Sequence, residues 1–337
     1  MSGTSVPGAA DDRRRAMLRT AMGPAIAIAL ANPRVIEIMV NPDGALRLDI
    51  LGQGRVDTGE RLDASQVERI IRLVASHARA EVHGDAPIVS AELPGYDGRA
   101  GERFEGVLPP VATGPCFSIR KPATRLYTLT DYVADGIIAP GAAEQLRAAV
   151  IRRDNILIAG GTSTGKTTLA NALLAEMASL DERVILIEDT RELQCPAPDT
   201  VALRTRPKNS SGGGSVTMAD LVRSTLRLRP DRIIVGEVRG PEALDMLKAW
   251  NTGHPGGIAT VHANSALRAL YRIEQLVQEA VVTVPRELIA GAINLVVFIA
   301  GRGLDRRVTT IARVDGLDAR GGYALTDLIT PAQPRGD

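Results

Sequence analysis

The chain has 337 residues, 45% hydrophobic and 23% charged, with a formal net charge of +1. That length and composition suit about two soluble domains. Aromatics at 3% are too few for a platform that stacks single-stranded bases, and a charge this near zero gives no global field toward DNA or acidic lipid, so no strong nucleic-acid binding is expected.

Residues 1–12 are small and polar, which predicts a disordered start. From Arg13 to Ala31 an arginine-bearing helix with an apolar face is expected. Its Arg13-Arg14-Arg15 and Ala29-Leu30-Ala31 resemble a signal peptide only superficially, because Pro24 interrupts an apolar run too short to span a bilayer. Val35–Val40 and Ala45–Ile50, joined by Asn41-Pro42-Asp43-Gly44, predict a β-hairpin. Asp63–Ala80 reads as an amphipathic helix with Val67, Ile70, Ile71 and Val74 on one face, and short strands follow at Ile88–Leu93, Arg103–Leu108 and Cys116–Lys121. This gives an N-terminal α+β domain over 13–122, then a linker over 123–139.

The second domain, 140–330, alternates strand and helix, which predicts an α/β fold with a mainly parallel sheet covered by helices. Thr217 with Asp220 caps one helix and Pro230 stops it; the glycine loop at 209–214 and the tail 331–337 carry no assigned role. Leu288–Gly301 is apolar but divides into a helix end and a strand rather than a membrane span. Cys116 and Cys195 stand far apart without a CxxC, so neither a disulfide framework nor a zinc site is indicated, and a reducing, cytoplasmic setting fits.

The stretch Gly160-Gly161-Thr162-Ser163-Thr164-Gly165-Lys166-Thr167 fits G-x-x-x-x-G-K-[ST]. The apolar run Asn155–Ala159 precedes it and a helical pattern opening at Thr168 follows, the context in which backbone N–H groups and a helix end receive a polyphosphate. In this pattern Lys166 meets the β/γ-phosphates and Thr167 offers a hydroxyl to Mg²⁺, so ATP and Mg²⁺ are the expected ligands. Basic residues are almost all arginine, yet position 166 is lysine. Glu237 ends the buried strand Ile233-Ile234-Val235 and Glu188 ends Val184–Ile187; either can serve the attacking water, and Glu237 can hold hydrated Mg²⁺. His262, at another strand end, can donate to a γ-phosphate; His77 and His83 read as surface or helix-end histidines, and His254 is open between a site role and a structural one.

Four stretches in order, Gly160–Thr167, Ile187–Leu193, Arg229–Gly240 and Thr252–Asn264, resemble the Walker A, aspartate, Walker B and histidine boxes of the secretion and traffic ATPases of type IV secretion, type II secretion and type IV pili. Arg103–Pro110 and Phe117–Pro122 are similar to the conjugal-transfer, TrbB-type branch. The resemblance implies a RecA-like ATPase domain, a homohexameric ring with other secretion subunits as partners, and work at the cytoplasmic face of the inner membrane, with peripheral contact to it left open. It also implies that Arg103 and Arg120 reach the phosphates from the N-terminal domain, and that Arg206 lies near the site. The alternatives are a tight-adherence pilus motor, a nucleotide-gated scaffold and a RecA-like nucleic-acid translocase.

Overall fold

The strands Val35–Val40 (β1) and Ala45–Ile50 (β2) reverse over four residues, with the Gly44 amide donating to the Asn41 carbonyl at 2.9 Å. Gly44 has φ of 76°, and a Cβ there would lie 2.1 Å from the Leu62 carbonyl oxygen, so the turn requires glycine. The structure is a computed structural model that describes residues 16–78, 80–94, 101–122, 126–206 and 214–329. The disordered start expected over 1–12, nearly all of the 209–214 loop and the 331–337 tail lie outside the described residues. The described chain divides into two compact units on either side of Thr124.

In the first unit Gly54–Arg61 (β3), Ile88–Glu92 (β4), Arg103–Val107 (β5) and Cys116–Arg120 (β6) complete an antiparallel sheet in the order β3-β2-β1-β6-β5-β4. The single helix expected over 13–31 is two pieces, residues 16–22 (α1) and Pro24–Ala31 (α2). Gly23, with φ of 84°, turns the chain between them, and Pro24 brings no amide hydrogen to carry α1 onward. The helix Ala64–Ala78 (α3) buries Val67, Ile70, Ile71 and Val74 in one core with Phe104 and Ile119, as its periodicity requires. Strand β3 was not foreseen. It is exposed along almost its whole length, shows no apolar alternation, and is held as an edge strand by backbone pairing to β2.

Residues 126–139, read from sequence as a connector, are built into the second unit. Leu129–Ala134 (α4) opens with a reciprocal cap between Thr128 and Asp131, and Leu129, Tyr132 and Ile138 are buried with Leu146 and Leu173. Six residues are too few for a helical period to show in the sequence. Then follow Pro140–Ile151 (α5), Ile156–Gly160 (β7), Lys166–Ala175 (α6), Arg183–Glu188 (β8), Asp199–Arg204 (β9), Met218–Thr225 (α7), Arg232–Val235 (β10), Glu242–Asn251 (α8), Ile258–His262 (β11), Ala266–Gln278 (α9), Arg286–Ala292 (α10) and Leu295–Ala300 (β12).

With Arg307–Leu317 (β13) and Tyr323–Asp327 (β14), the sheet runs β14-β13-β12-β7-β11-β10-β8-β9, parallel from β12 to β9. The further helices expected after Ile258–Val261 are α9 and α10; beyond β12, where the sequence reading names no element, the chain forms the antiparallel hairpin of β13 and β14. Leu157 and Ala159 of β7 face one buried layer and Ile156 and Ile158 the other, which explains the uninterrupted apolar run. Beyond the amino ends of the strands, the guanidinium of Arg232, 1% exposed, pairs with Glu182, which also takes Arg153 at 2.7 Å.

Candidate active site

Parallel strands bring their carboxyl ends to one edge, and here that edge carries the chemistry. The strand order β7-β11-β10-β8 sets Gly160, His262, the Gly236-Glu237 step and Glu188 side by side, with His262 in register with Gly160. The glycine loop closes between β7 and α6. A Cβ on Gly160 would lie 2.5 Å from the Ile299 carbonyl oxygen and 2.6 Å from Thr164 Oγ1, so only glycine lets the loop pass this close to β12. Gly165, at φ of 93°, caps α6 in the left-handed region, and Ser163 takes φ of 63°.

Within the loop Thr164 Oγ1 donates to the Gly161 carbonyl at 3.0 Å and Lys166 Nζ donates to the same oxygen at 2.9 Å. Thr162 and Ser163 are exposed, while Thr167 and Thr168 are part-buried in the first turn of α6. Lys166 Nζ lies 3.4 Å from Nδ1 and 3.5 Å from Nε2 of His262, so the ammonium sits over the imidazole rather than on one lone pair. His262 Nε2 in turn lies 2.7 Å from Glu237 Oε1, and the Arg239 guanidinium donates to the other oxygen of Glu237. Partial burial first, then the charge of Lys166, holds the His262 pKa below its ordinary value, against the pull of Glu237.

Glu188 differs. It is buried behind Gly236, where a Cβ would lie 2.9 Å from Glu188 Cγ, and its Oε1 accepts from the amides of Glu192 at 2.9 Å and Leu193 at 2.8 Å. Those amides favour the carboxylate, but burial outweighs them and pushes its pKa up to about 7. The loop at 192–194 is fixed from the other side by Asn171 on α6, which donates to the Glu192 carbonyl at 3.0 Å and accepts from the Gln194 amide at 2.9 Å. Asn171 and Arg239 were missed in the sequence; an amide inside the otherwise apolar face of α6 was the available signal for Asn171.

Whether the site fits a nucleotide and its metal rests on what is left unmet. Glu237 Oε1 is buried and makes no hydrogen bond, His262 Nε2 approaching it to 2.7 Å without the alignment of one. A buried carboxylate oxygen without a donor is where a metal-bound water would be held. The glycine cradle and Lys166, engaged by one loop carbonyl and His262, suit a phosphate chain.

Arg103 and Arg120 face each other in register on β5 and β6, in the first unit, and so project from the same face of that sheet. Arg206 is not brought to the loop of its own chain. It follows β9, the edge strand, four ladders from β7 and thus roughly 19 Å across the sheet, and its guanidinium donates to the Gly214 carbonyl at 2.9 Å. His254 is a structural histidine at the amino ends of the strands, Nδ1 lying 3.0 Å from the Pro230 carbonyl oxygen.

A phosphate loop on β7, a carboxylate after β10 and one strand inserted between them define a RecA-like P-loop NTPase domain, here following an α+β domain. The chain belongs to the Type II/IV secretion system protein family, whose profile matches residues 60–310. The conjugal transfer protein TrbB of Rhizobium radiobacter is 46% identical over 301 residues, 89% of this chain and 90% of that protein. The type IV secretion system protein VirB11 of Bartonella henselae is 34% identical over 307 residues, covering 80% and 83% of the two chains. The Legionella pneumophila ATPase DotB superposes with a TM-score of 0.56 at 16% identity, over 97% of this chain and 82% of that one, a likeness of fold alone. The family resemblance drawn from the four boxes therefore holds. Among the described residues no helix is long and apolar enough to cross a membrane.

Proposed function

We propose that the chain is a magnesium-dependent ATPase that couples ATP binding and hydrolysis to motion between its two units and powers conjugative type IV secretion. It works as a homohexamer with other secretion subunits, at the cytoplasmic face of the inner membrane. The observation that carries this reading is the row Lys166, His262 and Glu237 at one sheet edge, ending in a buried carboxylate oxygen with no donor. The conjugal-transfer relatives, matched over nearly their whole length, supply the biological setting.

The phosphate loop and Lys166 bind the phosphates, Thr167 and Glu237 would hold Mg²⁺, Glu237 through water, and the ion when bound neutralises the developing charge on the phosphates. His262, held neutral, can donate a ring N–H toward the terminal phosphate without adding a second cation beside Lys166. Glu237 is the carboxylate facing that position, and Glu188 fixes the 192–193 loop behind it. Arg103 and Arg120 add charge to the terminal phosphate and so report its loss.

Phosphate release and nucleotide binding, measured side by side on the full chain, test the reading. Lys166→Ala should abolish turnover, and Glu237→Gln should bind ATP without hydrolysing it. Normal phosphate release by a folded Lys166→Ala protein would sink the proposal. Hydrolysis that depended on added DNA would move the function to a translocase.

A further inference from the structure

The turn between β12 and β13 is tied to the phosphate loop at both of the loop's ends. Strand β12 runs beside β7 with Ile299 in register with Gly160, so the chain leaves β12 where the loop begins. The turn is closed on itself: Gly301 has φ of 75°, and a Cβ there would lie 2.2 Å from the Asp305 carbonyl oxygen. From it Arg302 Nε donates to the Thr162 carbonyl at 3.1 Å. Arg306 lies against the other limb, its Cζ 2.8 Å and its Nε 2.9 Å from where a Cβ of Gly165 would be. The missing side chain of Gly165 is what admits the guanidinium.

Among the described residues, neither Arg302 nor Arg306 pairs with a carboxylate. Arg306 Nε is buried without a hydrogen-bond partner, and so is the hydroxyl of Tyr132. An orphaned buried donor of this kind is unfavourable, the more so on a charged group. Two cations without counter-ions therefore flank a loop whose own cation is Lys166. An incoming phosphate chain carries enough negative charge to answer all three, and a guanidinium matches phosphate oxygens better than it matches a base edge or ribose hydroxyl.

We propose that Arg306 is a nucleotide-binding residue whose guanidinium donates to the phosphate chain at the Gly165-Lys166 end of the loop, while Arg302 holds the opposite limb in place through Thr162. The inference deepens the nucleotide reading above and depends on it.

The test is calorimetric titration of the full chain with ADP and, separately, with pyrophosphate. Arg306→Ala should bind both about 10- to 100-fold more weakly, the size expected for a lost charged hydrogen bond. The deficit should shrink as salt is raised, and the melting temperature without ligand should not fall below the wild-type value. Unchanged affinity for pyrophosphate overturns the proposal, as does a loss confined to ADP, which would place Arg306 at the base or ribose. Should Arg306→Ala not fold, Arg306→Lys against Arg306→Gln decides, because equal pyrophosphate affinity in that pair also overturns it. If the wild type binds neither ligand, the nucleotide reading itself falls; if the wild type binds both and Arg306→Ala matches it, only the present inference does.

Discussion

His262 stands between Lys166 and Glu237, its Nε2 2.7 Å from a carboxylate oxygen while an ammonium lies 3.4 Å from its Nδ1. A ring so placed is kept neutral by burial and by Lys166 more strongly than Glu237 draws a proton onto it. Because the folded pKa lies below the unfolded one, the unfolded chain binds the proton more readily. Stability from this group is complete above the ordinary histidine value and is lost as pH falls through the lowered one. The melting temperature of the wild type should accordingly drop more steeply on acidification below about pH 6.5 than that of His262→Gln. Parallel curves for the two proteins would contradict this placement of charge.

Glu188 titrates in the opposite sense. Its folded pKa of about 7 lies above the ordinary 4.5, so its contribution is complete at acid pH and is lost as pH rises through about 7. Glu188→Gln keeps an oxygen to accept from the amides of Glu192 and Leu193 but cannot ionise. Denaturant titrations between pH 5 and pH 8 should show wild-type stability declining relative to this variant as pH rises.

Glu182 lies outside the site and supports a stability prediction. Its carboxylate balances the Arg232 guanidinium, 1% exposed; burial works to raise its pKa, but Arg232 and Arg153 outweigh burial and hold it below the usual carboxylate value. Glu182→Ala leaves a buried cation unpaired and should cost about 3–5 kcal/mol in urea unfolding. A loss below about 1 kcal/mol would mean that water already shares this charge.

Gly257 offers a local optical test. A Cβ there would fall 2.0 Å from Trp250 Nε1, whose N–H donates to the buried Ile233 carbonyl at 3.1 Å. Gly257→Ala must displace the ring, break that bond and overpack the layer, for a loss of about 3 kcal/mol or more. Trp250 is the single tryptophan of the chain, so its emission should shift in the folded variant. An unshifted spectrum would show that the backbone at residue 257 gives way instead.

The phosphate loop, Glu188, Glu237 and His262 were legible because each lies at the end of an apolar strand, where side-chain period and box spacing coincide. Which carboxylate faces the loop was not legible, since that depends on strand order, and order is set by crossovers rather than by any one segment. The hairpin of β13 and β14 was missed because it pairs antiparallel at the sheet edge after a parallel series, and β3 because it buries almost nothing. Helix α4 escaped because its evidence is a cap and two buried side chains rather than a repeat. Arg302 and Arg306 stand more than a hundred positions from the loop they touch, beyond the reach of any local pattern.

Asn171 grips the backbone on both sides of Leu193, through one carbonyl and one amide, so the chain there is clasped like the partner in a short ladder. A slide or roll of α6 when its first turn is occupied must then carry Leu193 along with it. Loading at one strand would be felt three strands away without any side chain of the intervening strands having to change its rotamer.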